Sequence, residues 1–193
     1  MANNFSEYVG LDAEADHVHE FAVDLIPGLL QTEGYASALA QAWVPRADDS
    51  VTRDRANLRT ERQKGLLGDD PVSVTAVINE AALRQLVGGA EVMQEKHGHL
   101  VEMSTLPNVE IQVLPFAAGA TPAMGSPFII LSFAEPEDPD IAFSEHLTGC
   151  VYVEDPAAVE SYSLNFGALQ DTALSPAAST EFIESIAGEL RAR

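Results

Sequence analysis

Pro71-Val72-Ser73-Val74-Thr75-Ala76-Val77-Ile78-Asn79-Glu80 is the stretch that decides the fold class. Val72, Val74, Ala76 and Ile78 alternate with Ser73, Thr75, Val77 and Asn79, the two-residue period of a strand. At Glu80-Ala81-Ala82-Leu83-Arg84 the pattern changes to that of a short helix or turn, closed by Gly88-Gly89. A strand feeding straight into helical sequence predicts mixed α/β architecture. Downstream, Val92, Met93, Leu100 and Met103 mark the inward side of a helix over 90–105, and Pro107-Asn108 turns the chain into a second strand, Val109–Leu114, ended by Pro115. Phe128 to Phe133 reads as a third strand. Ile141–Leu147 and Cys150–Glu154 read as a hairpin around Thr148-Gly149. Two helices follow, over 156–173 with Pro156 in the first turn, and from Ser175-Pro176 to about 191.

Upstream lies Ile26-Pro27-Gly28-Leu29-Leu30-Gln31-Thr32-Glu33-Gly34-Tyr35-Ala36. Pro-Gly makes a bend, and Thr32 reads as the N-cap of a helix over 33–43. Tyr35, Leu39 and Trp43 form its apolar stripe. Leu11, Ala15, Val18 and Phe21 have roughly helical spacing, which predicts a helix over 10–24. Residues 50–67 read as another, with Ser50 as cap. The expected fold is therefore α+β, with a central mixed sheet of about five strands flanked by N-terminal and C-terminal helices. One domain is expected over 1–193, helical over about 10–67, sheet-containing over 71–155 and helical again over 156–191.

Composition narrows the function classes. The chain has 193 residues, 46% of them hydrophobic, enough for a packed core. No run of about 18 apolar residues exists, and the N-terminus lacks a secretory pattern, so a cytoplasmic protein without membrane contact is expected. Cys150 is the single cysteine, which excludes a disulfide framework. Thirty acidic against ten basic residues give a net charge of −20. Such a field repels polyanions, so direct nucleic-acid binding is not expected.

Several residues are candidates for chemistry. Glu145 shares a strand face with Ile141, Phe143 and Leu147. A carboxylate on an apolar face reads either as a site acid with a raised pKa or as half of a buried ion pair. Glu80 stands where the first strand ends, a common ligand position, and equally reads as a first-turn helix acid. Sharing one pocket, these two would form a catalytic acid–base pair. Arg55, Arg59 and Arg62 line one helix face, suited to an anionic ligand or to pairing within the protein. Phe116, Met124, Phe143 and Tyr152 surround the small-residue loop 117–127; core packing is the default reading for them, and an apolar ligand pocket under that loop is the functional alternative. Gln31 and Tyr35 are further ligand contacts. His17-x-His19 and His97-x-His99, read as helical, point apart and cannot share an ion, so no metal is expected. No phosphate loop, dinucleotide motif or nucleophile elbow appears, and no cofactor is expected.

Ile26–Ala36 resembles part of a family of actinobacterial regulators. So do Arg59-Thr60-Glu61-Arg62-Gln63, Asn79–Leu83, Val87-Gly88-Gly89, Val109–Phe116, Gly125–Phe133, Ala173–Pro176 and Ser179. The family is that of Xre-type helix-turn-helix, antitoxin-like transcriptional regulators, and the likeness is to their C-terminal regulatory domain. It implies a mixed α/β domain in a cytosolic setting and assigns no catalytic residues. The sequence starts where the helix-turn-helix of such regulators would end, so the resemblance carries no expectation of DNA binding by this chain. Two readings follow. One is a stand-alone domain binding a small molecule, a protein partner or a second copy of itself. The other is a cofactor-independent cyclase or isomerase, closing a ring such as a spiroketal in an apolar natural-product intermediate with Glu145 and Glu80.

Overall fold

A computed structural model describes residues 14–43, 64–68, 71–135, 137–147 and 149–191. Its centre is a six-stranded sheet in the order β3-β2-β1-β4-β5-β6. The strands are β1 (His17–Ala22), β2 (Ser73–Asn79), β3 (Val109–Leu114), β4 (Phe128–Ser132), β5 (Ile141–His146) and β6 (Gly149–Val153). β1, β2 and β3 run parallel, while β4, β5 and β6 continue the sheet antiparallel. Five α-helices are described: α1 (Glu33–Trp43), α2 (Glu80–Arg84), α3 (Ala90–Met103), α4 (Pro156–Thr172) and α5 (Pro176–Arg191).

The sixth strand corrects the sequence reading. Residues 17–22 form β1, where a helix over 10–24 is expected. β1 pairs with Ser73–Ile78 on one side and with Phe128–Ser132 on the other. Ladders to residues more than fifty positions away outweigh a weak local helical spacing. Of the predicted helix over 50–67, residues 50–63 lie outside the described residues, and Lys64–Leu66 form a single 3₁₀ turn.

The pairing register sorts the side chains onto two faces. Val18, Val74, Ala76, Ile78, Val109, Ile111, Val113, Leu131 and Phe143 face α1, α3 and α5, and form the larger core with Leu30, Tyr35, Met93, Leu100, Ile183 and Ile186. Phe21, Val77, Leu114, Phe128 and Ile130 face α4 through Phe166 and Leu169. Each fully buried side chain of this size contributes roughly 1.5–3 kcal/mol. Local signals set the element ends. Asn79 Oδ1 accepts from Ala81 N–H at 2.9 Å, so the strand turns into α2 without a loop. Asp155 caps α4 by accepting from Ala158 N–H at 3.0 Å. Thr32 Oγ1 accepts from Tyr35 N–H at 3.3 Å, as its position predicts. Trp43, the last residue of the predicted α1 stripe, is instead half exposed at the helix end, whereas Tyr35 and Leu39 are buried.

Gly88 positions α3 against α1. Its φ is +71°, and a Cβ there would lie 2.9 Å from Ala38 Cβ and 3.0 Å from Val92 Cγ2. Glycine is required twice at this position, by backbone angle and by space.

Candidate functional site

The two carboxylates nominated from sequence do not meet. Glu80 opens α2 and is buried. Its Oε1 lies 2.6 Å from Arg84 Nε, and its Oε2 accepts from Phe116 N–H at 2.8 Å. Arg84 reaches on to Glu189 at 2.9 Å. The hydrogen bonds to Glu80 and then Glu189 hold its guanidinium pKa above the ordinary value. Glu80 thus fastens α2 to the β3–β4 connection and to α5. Glu145 does share the face of Ile141 and Phe143, yet it is exposed, because it lies near the hairpin end of β5, beyond the helical cover. The burial expected of it is absent. β2 and β5 are three strand positions apart. At about 4.8 Å per strand the two carboxylates are separated by roughly 14 Å of sheet.

The remaining candidates divide between core and surface. Gln31 is buried and donates from Nε2 to Ile26 O at 2.7 Å. Tyr35 is buried and its hydroxyl accepts from Ile26 N–H at 3.2 Å. Both hold the Pro27-Gly28 bend from inside. Phe143 is buried against half-buried Tyr152, with ring centroids 5.2 Å apart. Phe116 and Met124 are exposed, 59% and 71%, on the surface of the 116–127 segment rather than around a pocket beneath it. Arg55, Arg59 and Arg62 lie outside the described residues.

The histidine argument also changes. In a strand, residues i and i+2 share a face. His17 and His19 stack with centroids 5.8 Å apart. Burial lowers the His19 pKa, His17 lowers it further, and Asp140 opposes both. Among the described residues no group of three or more His, Cys, Asp or Glu could hold a metal ion.

Two features escape the sequence reading. Lys96 on α3 is fully buried and its ammonium donates to Leu30 O. Burial pushes its pKa down to about 7, against a weaker opposing pull from Glu95. Its position, three residues after Met93 and four before Leu100, was the available signal, since that spacing is the inward stripe of a helix. Beside it, buried His97 donates from Nε2 to Leu83 O at 2.9 Å, and burial lowers its pKa.

The second feature is a groove along the outer edge of β3. Val74 N–H donates to Asn108 O at 2.8 Å. In a parallel ladder this turns the backbone groups of 108, 110, 112 and 114 toward β2, and those of 109, 111 and 113 outward. Val113 is matched outward: its N–H donates to Ser179 Oγ at 2.8 Å, and its carbonyl accepts from Leu174 N–H at 2.9 Å. Val109 N–H donates back to Leu106 O at 3.2 Å. That leaves the Val109 carbonyl and both polar groups of Ile111 facing outward without a bonding partner among the described residues. Both residues line an open groove of about 420 Å³.

The other walls come from Ser104 and Asn108 after α3, from Thr180 on α5, and from Glu110, Thr75 and His17. Ser104 Oγ donates to Val101 O at 2.7 Å, and Thr180 Oγ1 to Pro176 O at 3.1 Å. Asn108 Nδ2 donates to Leu66 O and Val72 O. With those protons committed inward, these side chains turn acceptor capacity to the groove. Glu110 adds an exposed carboxylate, which accepts from Gln170 Nε2 at 3.4 Å, and the outward Ile111 N–H belongs to a buried residue at the groove floor. The arrangement suits a donor-rich or cationic ligand. Among the described residues no lysine or arginine lines the groove.

A family model described as a domain of unknown function, DUF5753, matches residues 5–185. No curated protein matches the chain.

Proposed function

Since the chain belongs to the DUF5753 family, whose description assigns no activity, we propose from its geometry that it is a non-catalytic binding domain with its ligand in the β3-edge groove. The observation that carries this is the open groove of about 420 Å³ floored by buried Ile111 and Val109, where Ile111 N–H and C=O and Val109 C=O have no bonding partner among the described residues. Buried main-chain groups are nearly always paired, so such an edge favours a ligand that completes it. The volume lies within the usual range for small-ligand sites. The ring-forming reading asks for a carboxylate pair, and Glu80 and Glu145 stand apart. The resemblance to Xre-type regulators supplies the setting: ligand binding controls a partner that touches DNA, while the −20 charge keeps this chain off the polyanion.

The test fills the groove. Thr180→Trp places an indole where α5 borders it. A cytoplasmic metabolite library is screened by thermal shift on both proteins. A true ligand at 100 times its Kd stabilises the natural sequence by about 2.7 kcal/mol, roughly 5–10 °C at this chain length. Thr180→Trp should melt normally and respond to none of them. An equal response from the variant would refute this placement of the site.

A further inference from the structure

We infer that His17 and His19 form a chelating site for a late first-row divalent metal ion, such as Zn²⁺ or Cu²⁺, on the sheet face that carries α4. Water completes the coordination, because no third His, Cys, Asp or Glu joins the pair among the described residues.

A helix would point residues i and i+2 apart, and on that ground the sequence excludes a shared ion. β1 removes the objection, since i and i+2 of a strand stand on one face. The two rings already lie with centroids 5.8 Å apart and planes 15° apart. Two metal–nitrogen bonds of about 2.0–2.1 Å span roughly 3.4 Å at a tetrahedral angle, and nitrogens roughly 1.1 Å off each ring centre reach that spacing, within a few tenths of an ångström, once turned toward each other. His17 is exposed, so its ring is free to make that turn. His19 is held, half-buried and in a T-shaped contact with Phe166 at 5.2 Å. Its Nδ1 is buried with no hydrogen-bond partner among the described residues, the state of a nitrogen that still has a bond to make.

The surroundings favour a cation. Cross-strand neighbours on this face are Ser73 and Ser132 beside His17, and Thr75 and Ile130 beside His19, none of them charged. Burial, and then His17, lower the His19 pKa, so its ring is neutral at pH 7 and offers a lone pair. The Asp140 carboxylate, which opposes that shift, and the net charge of −20 attract a metal ion. Imidazole ligands select zinc or copper over magnesium or calcium. His17 also belongs to the groove wall, yet the site does not depend on what fills the groove.

The test titrates Zn²⁺ into the uniformly ¹⁵N-labelled full chain at about pH 7.5, where imidazoles are neutral. The ring-nitrogen signals of His17 and His19 should move together along one saturation curve, while those of buried His97 stay in place. Mg²⁺ in place of Zn²⁺ should move neither ring. His17→Gln, at an exposed position, should weaken Zn²⁺ binding about tenfold or more, because a chelate then loses the effective concentration of its second arm. Thr180→Trp, which fills the groove, should bind Zn²⁺ as the natural sequence does. No saturable response, a shift of only one of the two rings, or equal affinity in His17→Gln overturns the inference. Loss of Zn²⁺ binding in Thr180→Trp would place the ion in the groove and overturns it too.

Discussion

Replacing Lys96 by methionine should make the protein more stable in mild acid and flatten part of its pH dependence. Lys96 is enclosed by the core and its pKa falls from 10.5 to about 7. At about 1.36 kcal/mol for each pH unit, that drop corresponds to about 5 kcal/mol. The sign follows from proton counting. Below about pH 7 both folded and unfolded chains hold the proton, and the folded state bears the full cost of a buried charge. Between about pH 7 and 10.5 the folded state has released it while the unfolded chain keeps it, so stability rises with pH by up to about 1.4 kcal/mol per unit. Above that window the contribution is constant. Lys96→Met keeps the length of the side chain and removes the charge. It also leaves Leu30 O without its donor, a cost of about 1–3 kcal/mol. The net expectation near pH 6 is a gain of about 2–4 kcal/mol, shrinking steadily as pH rises. Urea midpoints for both proteins from about pH 6 to about pH 9 measure this, with a smaller contribution at the acid end from His97 and His99, whose pKa values the Lys96 charge also lowers. Parallel stability curves across that range would refute the reasoning.

Three further outcomes test the account of the fold and the carboxylates. Gly88→Ala should destabilise by about 1–3 kcal/mol from its positive φ alone, plus the strain of a Cβ at 2.9 Å from Ala38; a chemical-denaturation curve unchanged from the natural sequence would contradict the packing of α1 on α3. Glu80→Ala removes the acceptor of Phe116 N–H and the partner of Arg84, and should cost about 1–3 kcal/mol in the same assay. Glu145→Gln, on an exposed carboxylate, should leave stability within about 0.5 kcal/mol, and a loss near that of Glu80→Ala would mean that Glu145 is held in the fold after all.

How much was legible depended on whether the deciding interaction was local. The switch at Asn79-Glu80 was legible because both halves of the signal, alternation and cap, lie within ten residues. The face of Glu145 was legible from strand alternation, but its depth was not, since exposure depends on how far distant helices extend over β5. Tyr35 and Gln31, read from sequence as ligand contacts, are buried in the fold. Their known bonds run to Ile26, a contact made only when the bend closes.

By itself the sequence determined the mixed α+β class, five of the six strands, the five helices now described and the acidic surface. Each is written in short-range periodicity, caps and composition. Tertiary structure alone made His17–Ala22 the central strand β1, because its ladders reach Ser73 and Phe128 rather than its neighbours. It also formed the groove beside β3, at the opposite end of the sheet from the 117–127 loop. There Leu174 and Ser179 bond the outward groups of Val113, while those of buried Ile111 have no bonding partner among the described residues. That depends on where two segments more than sixty residues apart come to lie, and no local pattern encodes it.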